Sequence, residues 1–458
     1  MLKVPKGTTL VVGLGVSGRA ICRHLSRLGV PFMVADTRAA PPGLDDFRAA
    51  HPGIRIHCGS LTDLDLCEVE EVVVSPGIDP HAPGLAELAG RTREATGEPL
   101  LVGEIALFVR AARAPIAAIT GSNAKSTVTT LVGEMAREAG RRVAVGGNLG
   151  TPALDLLVDA PEAECYVLEL SSFQLETTPR LGAETAAFLN LSEDHLDRHG
   201  DMAGYRAAKL GIFRGARHGV VNAEDPMTWP ATPLPAEDRF TTRAPQDGEW
   251  GIGRHRGADW LMHGEVPLMP AAEMRLPGRH NQANALAAMA MGRRLGLPMP
   301  AMIEVLRRFP GLPHRGELVA EVDGVRWIND SKGTNVGATL AAIAGLGPTL
   351  TGRLILLAGG MGKGADFTPL ASPLARHGRE AILFGRDADR LAQALDGRLP
   401  VTRVEDLSRA LARAARIAEP GDCVLLSPAC ASLDQFKDYQ ERGECFREAV
   451  LRLAEESA

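Results

Sequence analysis

The chain has 458 residues, enough for about three domains, and its balance of 45% hydrophobic and 23% charged residues is that of a globular protein. A formal net charge of −6 excludes the basic field of a nucleic-acid-binding protein, so any phosphate must be held by local groups. There is no membrane-length apolar run and no signal-like N-terminus, and the seven cysteines follow no metal-ligand spacing; a cytoplasmic location with reduced thiols is expected.

Strand-like apolar runs alternate with helical patterns, which predicts parallel sheets with helices on both faces. The first unit, TTLVVGLGVSGRAICRHLSRLG, reads as strand, tight turn and helix, with Gly13, Gly15 and Gly18 forming G-x-G-x-x-G. The next strand ends in Asp36, at the spacing of an acid that holds a ribose hydroxyl. This points to a nucleotide diphosphate site; the plainer alternative is a turn that only packs helix on strand. The motif does not choose between NAD and another nucleotide. Ser75, Pro76 and Gly77 close a further strand, where open α/β sheets bind ligands.

A new strand begins at Pro115 and runs through TGSNAKST into a helix. Lys125, Ser126 and Thr127 are the candidates to hold phosphate and Mg²⁺, although Ile119 and Ala124 stand where the general P-loop has glycine. An N-capped helix with a solvated lysine is the plainer alternative. Glu169 ends the apolar strand of VLEL, where an unpaired carboxylate is costly, so a metal or another partner is expected. His195 lies in the polar loop SEDHLDRHG, where a histidine alone is more often a surface residue, and Lys209 lies on the helix of YRAAKLGIF. Residues 226–275 read as a β-rich excursion, and FPGLPHRGE as a hinge. Modules are placed at 1–103, 104–311 and 312–458. Ser432 to Gln435 has the S-x-x-Q spacing of a capping box at a helix start.

The string TGSNAKST is similar to the ATP loop of the Mur ligases and folylpolyglutamate synthetases. GGNLGTP, VLELSSFQLE, NLSEDHLDRHG, YRAAKLGIF, GRHNQANALAA, GLPHRGE, WINDSKGTN and SPACASLDQFKDYQERG follow in order. On these strings the chain is identified as a member of the Mur ligase family along nearly its whole length. LELSSFQLE, YRAAKL, NDSKGTN and SPACASLDQF resemble most the branch that adds D-glutamate.

The resemblance implies an α/β fold of three modules: a Rossmann-like module for the UDP substrate, a central P-loop ATPase-like module, and a C-terminal Rossmann-like module for the amino acid. It implies that ATP phosphorylates the carboxylate of UDP-N-acetylmuramoyl-L-alanine, and that the amine of D-glutamate then attacks the acyl phosphate. Carried over residue by residue, Gly121, Ser122, Asn123, Ala124, Lys125, Ser126 and Thr127 form the phosphate loop, and Asn281, Asn284, Arg315 and Asp330 reach the nucleotide. Ser126 or Thr127 and Glu169 hold one Mg²⁺, and His195 a second, with Mn²⁺ able to substitute. A cationic Lys209 beside a metal would be repelled by ~4 kcal/mol per unit charge pair at 4 Å and an effective dielectric near 20. The family's answer is CO₂, bound on Lys209 as a carbamate. Val16, Ser17, Asp36, Thr37, Arg38, Ser75, Pro76, Gly77 and Asn148 fall to the UDP substrate, and Lys332, Thr334, Lys363, Ser432 and Tyr439 to D-glutamate.

The expected partners are these small molecules alone, with no nucleic acid and no membrane insertion, and the expected state is a monomer. Ala124 departs from the family's usual glycine and must avoid positive φ unless strained. Gly316 departs from an aromatic, Met361 from an acid and Tyr439 from phenylalanine. The rival readings are another ligase of the family, an NAD-dependent oxidoreductase, and a non-catalytic nucleotide binder.

Overall fold

The computed structural model describes residues 2–276 and 278–456. The first sheet is parallel and contains β1 (Thr9–Val12), β2 (Phe32–Asp36), β3 (Ile56–Cys58), β4 (Glu71–Val74) and β5 (Leu101–Gly103), in the order β3-β2-β1-β4-β5. Its central strands are buried throughout, because they alternate between two apolar layers. Val11, Val34 and Val73 face one layer; Leu10, Val12, Met33, Val72 and Val74 face the other. The chain leaves β1 towards β2 on one side and returns as β4 on the other. That reversal opens a crevice at the strand ends, where the glycine turn lies.

The central sheet holds nine strands: β6 (Ile116–Thr120), β7 (Val143–Gly147), β8 (Cys165–Glu169), β9 (Thr185–Phe188), β10 (His218–Asn222), β11 (Ala236–Phe240), β12 (Trp250–His255), β13 (Ala258–His263) and β14 (Val266–Pro270). Their order is β14-β13-β12-β11-β10-β9-β6-β8-β7. The residues expected as an excursion instead continue this sheet: β11 and β12 join in parallel, and β13 and β14 add antiparallel hairpins. Trp250, fully buried, anchors the extension by donating its indole N–H to Asp238 at 3.3 Å. Helix Arg279–Arg294 packs on this sheet and against helix Lys125–Glu138.

The third sheet comprises β15 (Glu317–Val322), β16 (Val325–Asn329), β17 (Leu354–Gly359), β18 (Gly378–Phe384), β19 (Val401–Arg403) and β20 (Cys423–Leu426), in the order β15-β16-β20-β17-β18-β19. Only the β15–β16 hairpin is antiparallel. Arg442, on the last helix (Tyr439–Glu456), is wholly buried. It donates to the Ser331 hydroxyl and carbonyl at 3.0 and 2.8 Å and to the Cys430 carbonyl at 3.2 Å, binding together two loops at strand ends.

Candidate active site

The strand Ile116–Thr120 delivers the chain to a loop held from outside. Ser122 and Asn123 donate their N–H groups to the carbonyl and side chain of Asn190, and the Ser122 hydroxyl bonds the Ser192 backbone. Ala124 has φ 65°, so the residue expected to avoid the left-handed region adopts it. The loop must turn there to aim the N–H groups of helix Lys125–Glu138 at one point, and Ala124 meets that demand with strain.

Lys125 folds back onto the loop, donating to the carbonyls of Gly121 and Ser122 at 3.0 Å each. Lys209 is buried and donates to the same Gly121 carbonyl at 2.7 Å. Its ammonium stands 4.7 Å from the centre of the Tyr205 ring. Burial first, and then the charge of Lys125, depress the Lys209 amine well below its ordinary range.

Glu169, 1% exposed at the end of its strand, accepts from the Ser126 hydroxyl at 2.5 Å and from the Asn148 amide at 2.9 Å. Burial pushes its carboxyl up, but Lys125, the bonds from Ser126 and Asn148, and Arg315 outweigh it and hold the group ionised. Arg315, from the third module, donates to the same Ser126 hydroxyl at 2.7 Å. Of the two hydroxyls left open by sequence, Ser126 meets Glu169; no hydrogen bond joins Thr127 to it among the described residues. Asn148, assigned to the UDP substrate by resemblance, stands on Glu169.

His195 has φ 55° and lies edge-on to Phe173 at 4.9 Å, with Nε2 3.6 Å from Asp194. Burial lowers its imidazole to about 4, with Lys363, Lys125 and Lys209 adding to the effect against Asp194, so it is neutral at pH 7 and open to a metal. Asp194 accepts from Lys363 at 3.0 Å and from the Asn335 amide at 3.4 Å; the amide also reaches Asn123 at 3.2 Å. Sequence reasoning missed Asp194, Asn335 and Tyr205. Their signal was position alone: each lies beside or on the same short element as a chosen residue.

In the third module Thr334 and Lys363 share one cleft with Asp194 and His195. The Lys332 ammonium lies 3.8 Å from the Tyr439 ring centre, and burial brings it down to about 7. Burial raises the Asp330 carboxyl to about 6, although Ser427 and the Gly316 N–H donate to it. Gly316 has φ 60°, which accounts for glycine there in place of an aromatic. Ser432 does not cap a helix: residues 432–438 form turns, and Gln435 donates to the Glu405 carbonyl. The helix starts at Tyr439, with Asp438 accepting from the Glu441 N–H at 2.9 Å. Asp438 lies next to the first turn and outcompetes the more distant serine.

In the first module Asp36 accepts from the Leu14 N–H at 2.8 Å and, through both oxygens, from Arg38. Its carboxylate shapes the glycine turn. Ser75 donates to the Gly13 carbonyl at 2.9 Å, and a β-carbon on Gly18 would lie 1.7 Å from that oxygen. Val16, Thr37, Arg38 and Gly77 are exposed around this crevice, and Ser17 and Pro76 are half-buried. Asn281 and Asn284 occupy the first turns of helix Arg279–Arg294, 3.4 Å apart through their amides.

Three family models match in chain order: the MurD-like N-terminal domain over 7–97, the Mur ligase middle domain over 119–292, and the Mur ligase glutamate ligase domain over 314–430. The UDP-N-acetylmuramoylalanine--D-glutamate ligase of Chromohalobacter salexigens is 69% identical, covering 98% of both chains. The chain belongs to the Mur ligase family. A ligase of the same description from Pseudomonas putida is 52% identical over 97% of both chains. The fold recurs in the UDP-N-acetylmuramate-alanine ligase of Thermotoga maritima (TM-score 0.58, 17% identity, 97% and 99% coverage). It also recurs in E. coli FolC with ADP (TM-score 0.56, 18% identity, 76% of this chain and 92% of that one). In this Mur ligase, side chains from the second and third modules meet at Ser126. No helix is long and apolar enough to cross a membrane among the described residues.

Proposed function

We propose that this Mur ligase adds D-glutamate to UDP-N-acetylmuramoyl-L-alanine at the expense of ATP, releasing ADP and phosphate, as a cytoplasmic monomer. The tasks divide over 1–103 for the uridine nucleotide, 104–311 for ATP and 312–458 for the amino acid. The observation that carries the chemistry is the Ser126 hydroxyl, held between the Glu169 carboxylate and the Arg315 guanidinium. The substrates are those named for the Chromohalobacter salexigens and Pseudomonas putida ligases that the chain resembles.

Phosphoryl transfer needs positioning and charge neutralisation more than covalent help. Lys125 leaves its two loop carbonyls to lie along the phosphates, and the loop N–H groups hold their oxygens. Arg315 brings a second cation only when the third module is seated, so closure completes the site and excludes water from the acyl phosphate. Lys332, near 7, and Lys363 neutralise the carboxylates of the incoming amino acid.

The hydroxyl of Ser126 and carboxylate of Glu169 are hard oxygen donors that suit Mg²⁺, which keeps few protein ligands and shares the rest with phosphates. His195, neutral, and Lys209 as a carbamate would serve a second ion. Bound there, Mg²⁺ would neutralise phosphate charge. Carbamylation needs a neutral amine, and burial moves the Lys209 amine well below its ordinary range, towards that form.

A nicotinamide reading of the first module is disfavoured by the match of residues 7–97 to the MurD-like N-terminal domain. The test is mass analysis of the nucleotide product formed from UDP-N-acetylmuramoyl-L-alanine, D-glutamate, ATP and Mg²⁺. Gain of one glutamyl group supports the reading, and recovery of unchanged nucleotide overturns it.

A further inference from the structure

Arg198 stands on the short helix Leu196–His199 that follows His195, and its N–H donates to the His195 carbonyl at 3.1 Å. Movement of either residue therefore moves the other. Its Nη2 donates to the Ile78 carbonyl in the first module at 3.1 Å and to Glu176 in the second at 2.8 Å. The guanidinium lies 5.0 Å from the centre of the Phe173 ring, the ring that His195 meets edge-on.

Ile78 follows the Ser75-Pro76-Gly77 turn and donates its N–H to the Ser75 carbonyl at 2.9 Å. It packs so close to the glycine turn that a β-carbon on Gly13 would lie 3.1 Å from its Cγ1. One donor is left over: the Arg198 Nε is buried without a hydrogen-bond partner, 3.6 Å from the Asp79 carboxylate. A continuous series of contacts thus runs from Gly13 through Ile78, Arg198 and Phe173 to His195.

We propose that Arg198 is a positioning residue that couples the seating of the uridine nucleotide in the first module to the placement of His195 in the second. The inference rests on the reading of the first module as the nucleotide site. Nucleotide bound over Ser75 to Gly77 draws the following Asp79 onto the free Nε, and the guanidinium transmits that shift through the His195 backbone and Phe173. Such coupling requires a second arrangement, in which the Asp79 carboxylate closes the 3.6 Å gap and accepts from Nε. No part of Arg198 needs to touch a reacting atom.

The test uses the full chain as wild type, Arg198→Ala and Arg198→Lys. Amide hydrogen exchange without ligand is followed in segments 75–80 and 193–199. Calorimetry measures binding of UDP-N-acetylmuramoyl-L-alanine, and steady-state kinetics separate the substrates. Arg198→Ala is expected to raise exchange in both segments, weaken the nucleotide about tenfold and lower kcat, while KM for ATP stays within about twofold. Arg198→Lys, which keeps the charge but not the planar fork or Nε, recovers part of each effect and carries the test should the alanine variant not fold. Unchanged exchange in both segments, or equal loss of affinity for all three substrates, overturns the proposal. If the wild type binds no uridine nucleotide, the reading of the first module fails, and the exchange data still decide whether Arg198 joins the two segments.

Discussion

Lys125 and Lys209 donate to one carbonyl, that of Gly121, at 3.0 and 2.7 Å. Two ammonium groups on one acceptor repel each other, and the more buried of the pair, Lys209, yields its proton more readily. A neutral amine held beneath a phosphate loop is what CO₂ needs in order to add.

Lys209→Ala should therefore lower turnover by about 100-fold or more, as loss of a group stabilising charge in the transition state does. Acetate or bicarbonate should restore part of the activity by filling the vacated space with a carboxylate. Carbon-13 NMR of the wild type under labelled CO₂ should show one carbamate carbon. A fully active alanine variant, indifferent to CO₂ and acetate, would contradict the assignment.

Ala124 holds φ 65°, a conformation that costs an L-residue about 1–2 kcal/mol. Ala124→Gly removes that strain but frees the unfolded chain by about 0.4–1 kcal/mol. The strain equals or outweighs that loss, so the glycine variant should be as stable as the wild type or up to about 1.6 kcal/mol more stable, and should keep its KM for ATP. Ala124→Val, with a β-branched side chain in the same conformation, should be less stable than either and bind ATP more weakly. Denaturant titration and ATP kinetics on the three proteins check this; a valine variant equal to the glycine variant would show that the loop does not hold this geometry in solution.

Asp330 titrates near 6 in the folded protein, above its ordinary value of 3.8, because it is buried. A carboxyl raised on folding favours the folded state below its unfolded pKa, and that contribution is lost as pH rises through the folded value. Asp330→Asn stays neutral throughout. The melting temperature of the variant should thus gain on the wild type between about pH 4 and pH 6 and hold a constant lead above that. Parallel curves across the range would place Asp330 in contact with water.

Arg442 is buried among neutral acceptors, the Ser331 hydroxyl and carbonyl and the Cys430 carbonyl. Arg442→Ala leaves those oxygens without donors in the interior, a loss of about 2–4 kcal/mol by the usual cost of unsatisfied buried groups. Because Ser331 precedes Lys332, the KM for the amino acid should rise more than that for ATP. Urea unfolding and substrate kinetics report the two effects separately.

Much of this was legible in the sequence where a local rule dictated it. The Gly13 to Gly18 turn, the strand end at Glu169 and the loop before Lys125 each combine a periodic apolar run with an abrupt polar residue, and such junctions survive without tertiary information. The cap near the last helix was misread because S-x-x-Q and the later Asp438 both satisfy a local rule, and only packing chooses between them. The β11 to β14 extension was read as a β-rich excursion because its strands, at one side of the sheet, lack the continuous apolar runs of the centre. The Lys363–Asp194 pair was not legible, and the placing of Arg315 by the Ser126 loop and of Lys209 at the site came only from the resemblance, since each joins segments far apart in the chain.

The most direct test of the central claim is phosphate release from ATP and Mg²⁺ with UDP-N-acetylmuramoyl-L-alanine, run in parallel with D-glutamate, L-glutamate, L-alanine and meso-diaminopimelate. Release with D-glutamate alone is the predicted result. Release with another amino acid, or with none, would contradict it.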